Sequence, residues 1–412
     1  MQYRRIPIFL GANILSAAIP FLLLPLLTRV LTPADYGTVA MFGVFLAVFA
    51  SVAGLSAHGA VGIRYFELSK ERLAQFIGAC FVLLLISTAI TASLVFIGGY
   101  WWRSLWGVPI EWIVVAALAA GMQFIISICL ALWQSSGNVV SYGILQVGQS
   151  ILNIGLTLMF VLYLGMNWEG RVLGQAVAIL VFGVLCFFLL YRSGSIAYPA
   201  DDKGDYSFAL NFGIPLVPHA LGGMLIIFGG RFIVATLGGE HDVGIYMVPL
   251  QLILGLSLIF DAINKVFHPH LLQMAQGQID KRKIVRTVYK IMIVNFFVSL
   301  CAGISIYLLY PLVVGKDFIS GRELIWVLTL AAYIQSIYYL TAIFINVANR
   351  NSYLARNTFF SGCIGMAATW ALVAKYGLIG AAFGYLVTEV ISTSLNWHSS
   401  NKVYPLPWLM LE

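Results

Sequence analysis

The sequence predicts an all-α integral membrane protein, with about twelve transmembrane helices in two pseudo-repeated six-helix lobes around a central cavity. Three observations carry this. Of the 412 residues, 61% are hydrophobic and only 9% charged, against roughly a quarter charged in soluble domains. The apolar residues gather in runs of about 20, the length that crosses a hydrocarbon core about 30 Å thick. Markers in the first half of the chain recur in the second at a nearly constant distance.

The runs fall at roughly 7–28, 37–57, 76–98, 112–133, 143–164, 172–191, 208–235, 243–263, 288–312, 323–345, 353–374 and 377–398. They are continuous, whereas the strands of a membrane barrel alternate. The connections are short, and the longest outer one runs from about 99 to 111, so no water-soluble domain fits. Arg4 and Arg5 ahead of the first run resemble the start of a signal peptide. That run continues through Pro25 to Leu27, longer than a signal segment, and is read as a retained first helix. Cys80, Cys129, Cys186, Cys301 and Cys363 lie far apart inside apolar segments. Without a close pair they read as small buried hydrophobes, and no metal is expected.

With Arg4 and Arg5 inside, alternate loops face the cytoplasm. Arg64, Lys70, Arg72, Arg192, Lys203 and Lys265 then lie on the inner side, with the Lys281-Arg282-Lys283 run, Arg286, Lys290, Arg350, Arg356 and Lys402. Only Arg29, Arg103, Arg171, Lys316, Arg322 and Lys375 fall outside. That asymmetry is the positive-inside rule, and it places both termini in the cytoplasm. The net charge of +7 therefore needs no nucleic-acid partner; basic loops suit an anionic inner leaflet. Trp101, Trp102, Trp106 and Trp112 resemble an interfacial belt.

The repeat is read from four markers in order. Ser141-Tyr142 recurs as Ser352-Tyr353, Gly170 and Gly174 as Gly380 and Gly384, Asp35-Tyr36-Gly37 as Asp242-Val243-Gly244, and Arg29 as Arg231. The expected division is residues 1–200 and 201–412. Six helices per half is even, so the two copies are parallel, an arrangement suited to alternating access about a midplane site. The glycine pairs suit close helix approach.

Some residues are costly to place in lipid. A charge at a helix centre costs about 2.5–3.5 kcal/mol or more. Arg231 sits inside the seventh run, and Arg29 at the outer end of the first. Their pairing in the repeat favours a cavity position for both over snorkelling. For Arg64 and Lys265, near inner helix ends, cavity lining and interfacial anchoring both stay open. Guanidinium forks match phosphate oxygens in pairs, so an anionic head group is the expected cargo. On the fifth helix Gln146, Gln149 and Asn153 share a face with Thr157; the stripe reads equally as a hydrophilic path or as helix–helix hydrogen bonding. Asp261 and Glu389 are carboxylates within spans, the type that relays protons in coupled carriers. Asp261 has Lys265 four residues on as an alternative local partner, which leaves Glu389 the better candidate. Coupling to H+ or Na+ is expected through these residues, and no other cofactor. Pro20 and Pro25 in the first helix, and Pro215 and Pro218 in the seventh, mark bending elements. Enzymatic readings fare poorly: there is no phosphate-binding GK[ST] loop, no HExxH and no GxSxG.

From Pro20 through Thr28-Arg29-Val30-Leu31-Thr32-Pro33-Ala34-Asp35-Tyr36-Gly37, the chain resembles the Wzx-type polysaccharide-unit flippases. These are a branch of the superfamily that also holds the multidrug extruders. A second stretch, Gly213-Ile-Pro215-Leu-Val-Pro218 followed by Gly230-Arg231-Phe232 and Gly244-Ile245-Tyr246, carries the same resemblance. The resemblance implies transport of undecaprenyl-pyrophosphate-linked oligosaccharide, O-antigen or a similar surface glycan, from the inner to the outer leaflet. It places Arg29 and Arg231 in a cationic lumen. It also implies a monomer in the lipid bilayer working beside a glycan polymerase. Members often carry an acidic residue before the seventh-helix arginine; Gly230 stands there, which speaks against a local ion pair. The competing readings are a cation-coupled drug extruder on the same scaffold, a lipid-linked peptidoglycan-precursor flippase, and a membrane-embedded glycan polymerase. The arginines disfavour the first, the absence of two further helices the second, and the duplicated halves and small outer loops the third.

Overall fold

The computed structural model describes residue 11 and residues 21–199, 203–214, 216–277, 280–348, 350 and 352–408, with backbone alone at 100–105, 203 and 216–221. The described chain is built of helices joined by short connections. They are α1 (Phe21–Val30), α2 (Pro33–Val52), α3 (His58–Glu67), α4 (Lys70–Trp106), α5 (Ile110–Ser136), α6 (Val139–Leu158), α7 (Trp168–Arg192), α8 (Lys203–Gly213), α9 (Leu216–Gln276), α10 (Lys281–Val313), α11 (Ile325–Val347) and α12 (Ser352–Val403). Among the described residues, nine helical segments are long and apolar enough to cross a membrane. Their outward faces are greasy: Ile86, Ile90, Leu94 and Ile97 on α4, and Ile293, Phe297, Ile304 and Leu308 on α10, are exposed. Spaced three to four apart or multiples of that, they make one stripe per helix. Lipid is the solvent such stripes require.

Two compact units divide the chain. Unit 1 is Met1–Leu31 with Thr38–Ala220, and unit 2 is Thr32–Gly37 with Leu221–Glu412.

In unit 1, α2 and α3 form one span bent at Gly54, Leu55 and Ser56, all with left-handed φ (57°, 50° and 58°). Left-handed backbone costs a residue other than glycine about 1–2 kcal/mol. The bend is held where the Gly54 amide donates to Ser87 Oγ at 2.8 Å and where Gly213 packs against the Leu55 carbonyl. The segment after residue 57, expected as loop, is therefore helical to Glu67, because the bend redirects the helix instead of ending it. The expected outer loop at 99–111 is also mostly helix. α4 runs on to Trp106 and stops at Gly107, whose φ of 67° supplies the left-handed cap. α6 and α7 pack antiparallel: Gly170 meets Phe160, Gly174 meets Thr157, and Gly148 meets Phe182.

In unit 2, α12 has 52 residues, about 78 Å if straight, too long for one crossing. It folds back at Gly377 (φ 58°). Gly365 then faces Thr388, Gly384 faces Thr369, and Gly380 faces the Leu372 carbonyl. α9 breaks in the same way at Gly239 (φ 76°). Its first part lies parallel to the start of α12, with Gly222 on Phe359, Leu225 on Gly362 and Gly229 on Met366. Residues 32–37 pack on the α9 bend reciprocally. A Cβ at Gly37 would strike the Glu240 carbonyl, and one at Gly244 the Pro33 carbonyl. These are the two repeat-related Asp-x-Gly segments, in contact with each other. The end of unit 2 is closed by Tyr404, Leu406 and Trp408, which join the core of α9, α10 and α11. Tyr289 Oη donates to the Trp408 carbonyl at 2.6 Å, and Lys281 Nζ to the Pro405 carbonyl at 3.0 Å.

Candidate functional site

The polar interior of unit 2 is assembled by three helices and the 32–37 segment. Arg231, on α9, is 6% exposed. The face of Phe228 lies 4.7 Å from its guanidinium carbon, and Tyr36, Tyr246 and Tyr385 surround it electrostatically. Its Nε has no hydrogen-bond partner. A buried guanidinium is a strong, weakly hydrated donor, and an unused donor in a dry site is costly unless something else accepts from it. Gly230 leaves room for one of these tyrosines: a Cβ there would lie 3.3 Å from Tyr246 Oη.

The cluster continues to a carboxylate. Glu389, on the second arm of α12, is 3% exposed. It accepts from Gln335 Nε2 at 3.2 Å and hydrogen-bonds Tyr385 four residues earlier. Tyr36 completes the other side, donating to Gln251 at 2.9 Å and meeting Phe318 edge-on. Arg231 and Glu389 are thus two buried opposite charges with tyrosines in between. Sequence reasoning singled out both charges. It missed the roles of Tyr36, Tyr246 and Tyr385, for which the only available signal was helical spacing to the charges: Tyr385 stands one turn before Glu389.

The other expected residues lie elsewhere. Lys265 pairs with Asp261 at 2.6 Å, one turn earlier on α9, with Lys265 exposed and Asp261 half-buried. In unit 1, Arg29 is exposed at the end of α1. Arg64 stacks on Phe208, 3.6 Å from the ring centre, and pairs with Glu67 at 3.2 Å. The fifth-helix stripe faces neighbouring helices. Gln149 donates to Gln123 at 3.2 Å. Asn153 and Thr157 accept from Arg171 Nη1 at 2.9 and 3.3 Å. Gln146 Oε1 is buried without a hydrogen-bond partner. Arg171, expected in a solvated outer loop, is buried instead, because α7 begins at Trp168 and draws it against α6. Among the prolines, Pro25 lies within α1 and Pro218 in the first turn of α9, where no hydrogen bond is lost. Pro20 and Pro215 lie outside the described residues. Inside helices the structure adds Pro249, Pro269 and Pro311.

Long apolar helices with lipid-facing flanks define a multi-pass membrane protein. Solved structures place the fold. An inward-facing multidrug resistance MATE family transporter of the MOP superfamily superposes with a TM-score of 0.76, at 16% identity over 97% of both chains. The lipid II flippase MurJ in its inward closed conformation gives 0.72, at 14% identity over 95% of this chain and 87% of its own. The family model described as "Polysaccharide biosynthesis protein" matches residues 4–275, and the chain belongs to that family. Two relatives come from Haemophilus influenzae. One is a protein of the Lsg locus, 24% identical over 94% of this chain and 98% of its own. The other is described as an uncharacterized membrane protein, 27% identical over 93% and 90%.

Proposed function

We propose that the protein flips an undecaprenyl-pyrophosphate-linked oligosaccharide, the repeat unit of O-antigen or a similar surface glycan, from the inner to the outer leaflet of the bacterial inner membrane. The observation that carries the reading is Arg231, a guanidinium buried among tyrosines with its Nε unused. Phosphate oxygens accept planar guanidinium donors in pairs, and aromatic faces suit sugar rings. Family membership and the likeness to a lipid II flippase support the same cargo class. Arg29, its counterpart in the repeat, is assigned the same head group. Glu389 is the carboxylate assigned to H+ or Na+ coupling during alternating access, in preference to Asp261, which is paired with Lys265. The protein acts as a monomer with cytoplasmic termini, supplying a glycan polymerase on the far side.

The fold is shared with multidrug transporters, so the test sets the two cargo classes against each other. Purified protein is offered undecaprenyl-diphosphate oligosaccharide and a cationic dye, and bound species are weighed by native mass spectrometry. Preferential glycolipid retention, weakened in Arg29→Ala and Arg231→Ala, is expected. Dye retention without glycolipid sinks the proposal.

A further inference from the structure

A second site lies in unit 1, apart from the Arg231 cluster. At the end where α3 gives way to α4, and where α5 and α7 finish, the structure holds a cavity of about 420 Å³. That volume is in the range of small-molecule sites. Its floor is hydrocarbon: Leu73, Ala74, Ile77, Leu132 and Leu190 are buried and line it. Its mouth is polar, with Lys70, Tyr65, Trp133, Ser193 and Ser195. We propose that this cavity binds an anionic phospholipid, with the headgroup phosphate against Lys70 and the indole and phenol donors, and an acyl chain in the apolar floor.

Three observations carry the assignment. The first is charge. Among the described residues no carboxylate lines the cavity; Glu67 pairs with Arg64, and Glu71, outside the lining, bonds the Ser69 hydroxyl and also feels the Lys70 charge beside it. Lys70 gives the lining a net positive charge, because its neighbour Glu71 lies outside it. The second is the chemistry of the rim. Tyr65 and Trp133 offer O–H and N–H donors on amphipathic rings, the residue types that sit at headgroup depth. Ser193 and Ser195, 2.8 Å apart, continue the rim in hydroxyls. The third is continuity with the lipid-facing surface. Leu189 lines the cavity yet is 37% exposed, and Leu185 and Phe188 beside it on α7 are more so. A chain leaving the cavity meets bilayer, which a free phosphate or a soluble metabolite would not need. The cavity is also built rather than incidental. The linker after α7 is pinned along α4, where the Ala197 amide donates to the Ala74 carbonyl at 3.1 Å and Gly78 leaves room for the Ala197 carbonyl. Basic pockets between transmembrane helices recognise acidic headgroups in this manner.

The test uses the full chain in detergent with equal amounts of phosphatidylglycerol and phosphatidylcholine, read by native mass spectrometry. Phosphatidylglycerol adducts are expected to predominate. Lys70→Gln, an exposed substitution, should cut them about fivefold, the effect of one basic residue at a headgroup, while Lys316→Gln leaves them unchanged. A photoreactive phosphatidylglycerol should label peptides holding Leu73, Leu132 or Leu190. Equal retention of the two lipids, indifference to Lys70→Gln, or labelling confined to other helices each overturns the proposal. So does displacement of the label by millimolar inorganic phosphate, which would make this a phosphate site, or by undecaprenyl diphosphate, which would assign it to the cargo.

Discussion

Two hairpins, α6–α7 in unit 1 and the folded-back α12 in unit 2, have the same seam and opposite chemistry. In each, a pair of glycines four residues apart lets the helices touch, and the second glycine faces a threonine: Gly174 on Thr157, Gly384 on Thr369. Unit 1 then buries a cation there, and unit 2 an anion. Arg171 is held by Asn153 and Thr157, while Glu389 is held by Gln335 and Tyr385. The difference lies in what remains unsatisfied. Arg171 meets side-chain acceptors from its own hairpin and reads as a clamp. Arg231, the buried arginine of unit 2, stands among phenol rings with a donor unused. Burial alone does not single out a candidate charge; Arg231 is a candidate because its burial comes with an unused donor.

The largest expected effect breaks the functional side of this comparison. Arg231→Ala should abolish surface-glycan export while the protein still inserts at normal levels, measured by glycan blotting alongside membrane quantitation. Full export in that variant would falsify the assignment of Arg231 to the head group. Arg171→Ala should do the reverse, lowering the melting temperature of purified protein, with export falling only as the folded amount falls.

Next comes the seam itself. Gly384→Val and Gly174→Val each place atoms inside a facing threonine, and overpacking of this kind costs about 1–3 kcal/mol. Both variants should melt earlier in detergent; a variant that melts like the parent would show that the seam is not close-packed. A smaller and more selective change is Glu389→Gln, which keeps the shape and hydrogen-bonding capacity toward Gln335 and Tyr385. If Glu389 couples transport, flipping in proteoliposomes should lose its response to an imposed ion gradient at unchanged stability. A response equal to that of the parent would make Glu389 structural, like Arg171. The smallest effect belongs to the Asp261–Lys265 pair of α9. Lys265→Gln should shift stability by about 0.5 kcal/mol or less, as exposed i,i+4 pairs do, and leave export intact.

Much of this was legible in the chain. Hydropathy located the apolar spans because lipid imposes one length and one composition on any helix that crosses it. The glycine pairs at 170/174 and 380/384 announced their seams, since small residues four apart share a helix face. Arg231 and Glu389 stood out because charge is rare in such segments. The bend at Gly54–Ser56 was not legible: Leu55 and Ser56 have no propensity for left-handed backbone, and tertiary contacts from Ser87, Phe124 and Gly213 hold them there. The fate of Gln149 and Asn153 was equally hidden, because a polar stripe looks the same whether it faces water or a neighbouring helix.

What the sequence determined by itself was the solvent, the helical content and the rare charges within apolar runs. Each follows from local composition and periodicity, which need no knowledge of neighbours. What only the tertiary structure decided was partnership. It joined Asp35-Tyr36-Gly37 to its own repeat image at Gly244, gave Arg171 its acceptors from α6, and surrounded Arg231 with tyrosines drawn from residues 36, 246 and 385. Those partners are separated by up to hundreds of residues along the chain. Helix packing brings them together, and only then do hydrogen bonds and charges decide which polar side chains are satisfied.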